Sequence, residues 1–171
     1  MIIPELRTER LLMRGWRDSD LDAWAEICAN PETMRWVGTE EPLDRPEAWR
    51  SIAYLIGHWE LRGFGFWAVE ELDGSELVGR VGVHRPDGWP GLELGWLLAR
   101  PRWGRGYATE AARAALQWAR EKLGAPHLIS LIADDNPRSE RVAKKLGMVI
   151  EDRFLVHEKY DVRVFGRDLD G

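Results

Sequence analysis

Cysteine is nearly absent. Cys28 is the only one in 171 residues, so no intrachain disulfide and no cysteine-rich metal site can form. Long apolar runs are absent as well: none approaches the ~20 residues that a membrane span needs. The opening Met1-Ile-Ile-Pro-Glu5 lacks the basic and apolar regions of a signal peptide, so a cytoplasmic address and no membrane partner are expected. Strong charge of one sign is missing. A net charge of −5 argues against nucleic acid as a partner, which calls for a basic face, and suits an amine-bearing substrate, although ordinary surface solvation gives the same balance. The four histidines, His58, His84, His127 and His157, stand isolated in the chain without metal-ligand spacing, so no metal is expected. Repeats, low-complexity tracts and linkers are lacking too, and one domain over residues 1–171 is the expectation.

What is present is a globular composition, 44% hydrophobic and 31% charged, with ten tryptophans that either fill a core or line a pocket. Leu6 to Trp16 reads as a first strand. A helix capped by Asp18 or Asp20 runs to Ala29 and ends at Asn30-Pro31; its stripe Leu21, Trp24, Ala25, Cys28 places Cys28 in the core. A second helix opens at Asp44, with Pro46 in its first turn, and stops at Gly63. Phe64–Glu71 and Glu76–Arg85 read as a hairpin through Asp73-Gly-Ser75, and Gly91–Leu98 as a further strand. Ala108 to Leu123 carries an alanine-rich apolar stripe closed by Gly124, the pattern of a helix lying close on a sheet. A strand at His127–Ala133, a helix at Asn136–Leu146 and strands at Val149–Leu155 and Tyr160–Arg167 complete the chain. Strands, helices and hairpins in this order give an α+β fold with a mixed, mostly antiparallel sheet of six to seven strands and about four helices.

The chemistry starts at Trp103-Gly104-Arg105-Gly106-Tyr107-Ala108, between a strand and a helix. Gly104 and Gly106 let the backbone approach a ligand, and the N–H groups of the loop and of the next helix turn form an anion site. Arg102 and Arg105 add charge there, and the Thr109 hydroxyl lies within reach of a phosphate oxygen. A plain tight turn before a helix is the competing reading. No Gly-x-x-x-x-Gly-Lys-Ser/Thr and no Gly-x-Gly-x-x-Gly is present, which removes P-loop and dinucleotide folds.

The loop resembles the acetyl-CoA motif Gln/Arg-x-x-Gly-x-Gly/Ala of the GNAT acetyltransferase superfamily, with Gly106 and Ala108 at the small positions and Trp103 departing at the first. Three runs resemble the branch that acetylates ribosomal-protein N-termini: Arg7-Thr-Glu-Arg-Leu-Leu-Met-Arg14, Glu93-Leu-Gly-Trp96 with the loop, and Asn136-Pro-Arg-Ser-Glu-Arg-Val-Ala-Lys-Lys-Leu-Gly147. The resemblance implies a sheet splayed between 91–98 and 127–133. Acetyl-CoA would lie in that splay, its arm paired to the backbone of Leu97, Leu98 and Ala99 and its pyrophosphate on residues 103–109. It implies transfer of an acetyl group to an amine, favouring a protein N-terminus over a small molecule such as an antibiotic or polyamine. A non-catalytic acyl-CoA-binding module is a third possibility, and the assembly is a monomer or a homodimer.

Acyl transfer to an amine needs a base, a stabilised oxyanion and an acid for the thiolate. Ser139 shares the inward helix face of Val142 and Ala143, and the resemblance makes it a thiolate donor; alternatively it bonds back to the helix start. Asn136 caps that helix or bonds the pantetheine amide. Two glutamates compete as base: Glu93, in the strand beside the splay, and Glu158, in the loop between the last two strands at the separation from Ser139 that the resemblance implies. A water relay is a further option. His157, beside Glu158, is the histidine placed for proton transfer. Cys28 as an acyl carrier has no adjacent base, and Trp36, Trp59, Trp67 and Trp96 divide between an acceptor groove and the core.

Overall fold

The structure, a computed structural model, describes residues 2–38 and 40–169. Eight strands form one sheet: β1 (Leu6–Arg7), β2 (Leu11–Arg14), β3 (Phe66–Glu71), β4 (Leu77–His84), β5 (Glu93–Leu98), β6 (His127–Ile132), β7 (Val149–Val156) and β8 (Tyr160–Asp168), in the order β1-β2-β3-β4-β5-β6-β8-β7. All neighbours are antiparallel except β5 and β6. Five α-helices accompany them: α1 (Leu21–Ala29), α2 (Pro31–Met34), α3 (Arg45–Arg62), α4 (Tyr107–Leu123) and α5 (Pro137–Lys145).

The class is the expected one, with more elements than expected, and each addition has an identifiable cause. The single strand Leu6–Trp16 is a hairpin, because Thr8 to Arg10 turns around a carboxylate far away in sequence. Glu110, in the first turn of α4, accepts from the Thr8 hydroxyl at 2.6 Å and from the Arg10 backbone N–H at 2.9 Å. At Asn30-Pro31 one helix ends and another begins. Asn30 Oδ1 accepts from the N–H groups of Glu32 and Thr33, and Pro31 stands where a helix start tolerates it.

The helices cover both faces. Ala111, Ala112, Ala115 and Ala119 of α4 are fully buried against Val81, Val83 and Leu94. Side chains without branches let the helix backbone approach the sheet. On the other face α1 and α3 bury Cys28, Ile52 and Leu55 against Phe66, Ala68 and Leu97. Trp59 and Trp67 belong to the core, at 1% and 0% exposure. Among the described residues, no helix is long and apolar enough to cross a membrane.

Candidate active site

Between β5 and β6 the sheet comes apart. β5 pairs along its whole length with β4, from His84↔Glu93 to Gly79↔Leu98, but meets β6 only at Glu93↔Ile129. Ile129 N–H reaches Leu92 O at 2.9 Å and the Ser130 hydroxyl reaches Leu94 O at 2.6 Å; beyond that point the strands diverge. A cleft of about 740 Å³ fills the gap. Since Leu94 O turns toward β6, strand alternation turns the backbone groups of Trp96 and the N–H of Leu98 to the open side as well. Leu97 faces β4. Ala99 has both groups bonded within the chain, its N–H to Val78 O at 2.8 Å and its carbonyl to Arg102 N–H at 2.9 Å. Of the three residues expected to hold an arm by backbone, only Leu98 offers a free N–H to the opening.

One end of the cleft is the glycine loop. Gly104 and Gly106 have φ of 77° and 83°, the left-handed region where a side chain is strained. Gly106 is the N-cap of α4, and among the described residues no side chain caps that terminus, so its first N–H groups can receive an anion. Gly104, Gly106, Tyr107, Ala108 and Thr109 line the cleft. The loop guanidiniums are less free than the sequence implies. Arg102 pairs with Glu71 at 3.0 Å and closely with Glu76, and Arg105 lies 3.6 Å from Glu71, which also accepts from the Tyr107 phenol. Arg138, at the start of α5, supplies the charge that the sequence reading missed. Its guanidinium lies 4.8 Å from the Trp103 ring, as does that of Arg100. The Trp103 indole donates to Leu98 O at 2.8 Å, so this residue ties the loop to the end of β5 by its side chain.

The other end gathers groups from four elements. Asn136 caps α5, its Oδ1 accepting from Ser139 N–H at 3.1 Å, and Ser139 Oγ accepts from the Trp96 indole at 3.1 Å. Glu93, at the mouth of the splay, accepts from the Trp89 indole at 2.6 Å and lies 3.6 Å from His84 Nδ1. His84 is buried, meets the Tyr54 hydroxyl through Nε2 at 2.7 Å, and leaves Nδ1 without a hydrogen bond among the described residues. His58 follows, its ring 4.9 Å from that of His84. Its Nδ1 donates to Phe64 O and its Nε2 accepts from Arg85 N–H, which fixes a neutral tautomer, and burial pushes its pKa below the ordinary value. The expectation of isolated histidines is thus corrected: 30 residues of sequence separate Tyr54 from His84, and only the sheet and α3 bring them together.

Glu158 stands apart from Glu93. His157 and Glu158 have φ of 51° and 55°, and Lys159 N–H bonds to Val156 O, a type I′ hairpin turn that leaves Glu158 exposed and off the cleft wall. His157 lines the cleft, its ring 6.0 Å from Trp89. Trp36 and Trp96 line it too. Cys28 is fully buried, and burial pushes its thiol up to about 12, which removes the thiolate an acyl carrier needs.

The arrangement can hold an extended thioester by its anionic end, and a carboxylate, Glu93, and a hydroxyl, Ser139, line the same cleft. Comparison with known proteins agrees. Residues 10–149 match the family described as Acetyltransferase (GNAT) domain. The Bacillus subtilis protein named "Uncharacterized N-acetyltransferase YoaA" is 28% identical over 148 residues, covering 85% of this chain and 83% of its own. The crystal structure of an acetyltransferase from Agrobacterium tumefaciens superposes with a TM-score of 0.85 at 32% identity, covering 98% of this chain and 95% of that one. RimL, a ribosomal L7/L12 α-N-protein acetyltransferase solved with coenzyme A, shares the fold at 18% identity and a TM-score of 0.80, covering 99% of each chain. The chain belongs to the GNAT acetyltransferase family, whose members transfer an acetyl group from acetyl-CoA to an amine.

Proposed function

We propose that this protein acetylates a primary amine by direct attack in a ternary complex, with Glu93 as the base and Ser139 as the acid. Acetyl-CoA, when bound, supplies the acetyl group as an activated thioester. The loop at 103–109 and the free N–H groups of α4 would hold its pyrophosphate, with Arg138 adding charge, and Trp96 and Leu98 would bind the arm along the open edge of β5. Asn136 then serves chiefly to hold the first turn of α5, and so Ser139, in place. The observation that carries this reading is the pair of polar groups on the two walls of the splay. The Ser139 oxygen is taken by an indole N–H, so its own proton needs another acceptor, which a departing thiolate provides. Glu93 is held by Trp89 beside His84 and takes the amine proton directly or through one water. Exposed in its turn, Glu158 has no comparable support.

A protein N-terminus is the acceptor that the resemblance to the ribosomal-protein branch favours. A small amine is the second reading, and one observation favours it: a guanidinium, Arg80, in the acceptor half of the cleft, without an ion-pair partner among the described residues. Steady-state release of free thiol from acetyl-CoA, with a panel of peptides and small amines, tests the reaction. Acceleration by a primary amine is the expected result. Bound coenzyme A with no acceleration by any amine makes the chain a binding module instead.

A further inference from the structure

Arg80 has no part in the reaction above, yet it occupies the acceptor half of the cleft. It stands on β4 opposite Leu97. Val81 and Val83 face α4, so alternation puts Arg80, Gly82 and His84 on the face covered by α1 and α3. The helix terminus expected to hold phosphate belongs to α4, on the opposite face. Arg80 is therefore a second, separate cationic position.

Its guanidinium rests on the Phe66 ring, 4.0 Å from the centroid. Neither a hydrogen bond nor an ion pair engages it among the described residues, and Glu93 acts on it only at a distance. His84 packs on the same Phe66 ring at 5.0 Å and adjoins Glu93, so one aromatic ring supports both the cation and the neighbour of the base. An arginine cannot shed its proton and carries five N–H donors in a planar fork. Arg80 is half-buried on the cleft wall, so those donors stay open to a ligand that enters the cleft, while the ring face holds the cation in place. A guanidinium fork is satisfied by a carboxylate or a phosphate through two parallel hydrogen bonds, and with the phosphate cradle of α4 on the opposite face a carboxylate is the group left for this position.

We propose that Arg80 binds a carboxylate on the acceptor, so that the substrates are amino acids or other small amines with a carboxylate a few bonds from the amine. The carboxylates of Glu40, Asp87 and Glu93 line the same cleft and suit the ammonium end. A peptide N-terminus presents a neutral amide where an amino acid presents its carboxylate, so Arg80 selects against peptides. Assigning the bound molecule as the acceptor rests on the acetyl-transfer reading with a small amine, rather than a protein N-terminus, as acceptor; the carboxylate site itself does not.

Two readouts separate these claims. The first is equilibrium binding by tryptophan fluorescence, with protein saturated with coenzyme A and titrated with N-acetyl amino acids and their matched amides. The acids bind ~10–100-fold tighter, the worth of a hydrogen bond to a charged group. Arg80→Gln brings the ratio to within ~3-fold of one, and Arg80→Lys, which keeps the charge but loses the fork, falls between. Melting curves for both variants check the fold. The second readout is the ratio of kcat/KM for free amino acids over their amides, which follows the same order. Equal binding of acids and amides by the wild type overturns the proposal, and so does a ratio that Arg80→Gln leaves unchanged. So does an equal loss of kcat for acids and amides, which assigns Arg80 to charge in the transition state. A binding preference without thiol release by any amine leaves the carboxylate site standing and removes the acetyl-transfer reading.

Discussion

Gly95→Ala separates the reacting end of the cleft from its anchoring end. A Cβ on Gly95 falls 2.8 Å from Phe66 Cζ and 2.9 Å from Cε1, closer than carbon atoms approach. Phe66 is 4% exposed and its ring has little room to turn, so it must be displaced by several tenths of an ångström. Overpacking of this kind costs ~1–3 kcal/mol. At ~2–4 °C per kcal/mol for a chain of this size, Tm falls by ~2–12 °C. Catalysis falls further than stability implies, because Arg80 and His84 both lean on the displaced ring. Misplacement of reacting groups by about 1 Å costs ~10²-fold in rate, and a loss of ~10–100-fold in kcat/KM is expected. The displaced ring lies on the face covered by α1 and α3, away from α4 and the glycine loop, so coenzyme A affinity by calorimetry stays within ~3-fold of wild type. Adding Phe66→Leu restores room and part of the Tm without restoring turnover, since the shared ring is gone, and a double-mutant cycle registers the coupling. Wild-type Tm and turnover in Gly95→Ala would refute this packing argument.

Gly106→Val places a β-branched side chain at φ 83° in the anion site, and Arg10 Nη2 lies 3.4 Å from the added Cβ. Coenzyme A affinity should fall at least ~10²-fold by calorimetry while far-ultraviolet circular dichroism is retained; unchanged affinity removes the loop assignment. Ser139→Ala should lower kcat by ~10²-fold with little change in coenzyme A binding, whereas a wild-type rate leaves Ser139 as a helix-start residue. The native protein keeps His58 neutral by burial and so binds fewer protons there than the unfolded chain. That contribution to stability is present above the unfolded value of 6.5 and is lost as pH falls below it toward the lower folded value. Between pH 7 and pH 5, Tm should therefore drop more steeply in wild type than in His58→Gln, and parallel curves contradict this.

Features encoded within one turn or one element were legible in the sequence. The alanine stripe of α4 with Gly124 behind it, Asp44 and Gly63 at the ends of α3, and the glycine loop all state their geometry locally. The hairpin at Leu6–Arg14 was not legible, because Glu110, which organises its turn, is 100 residues from Arg10. Asn30-Pro31 stops one helix and starts another, and the residues do not say which effect dominates. In the site, Ser139, Asn136 and Glu93 were placed by resemblance and do line one cleft. Tyr54, Arg80 and His84 were missed because α3 and β4 meet only after the sheet forms, and no local spacing marks the meeting. Glu158 lies in the loop between the last two strands, as expected; the tight left-handed form of that turn was not legible, because it is written His-Glu-Lys without the glycine or asparagine that signals it.

The central claim is that the carboxylate at the splay, rather than the one in the hairpin turn, takes the amine proton. Thiol release under saturating acetyl-CoA, measured for Glu93→Gln and Glu158→Gln beside the wild type, tests it most directly. The account predicts a fall in kcat of at least ~10²-fold for Glu93→Gln, with coenzyme A affinity kept, and a rate within ~3-fold of wild type for Glu158→Gln. A wild-type rate in Glu93→Gln, with the loss in Glu158→Gln, contradicts it.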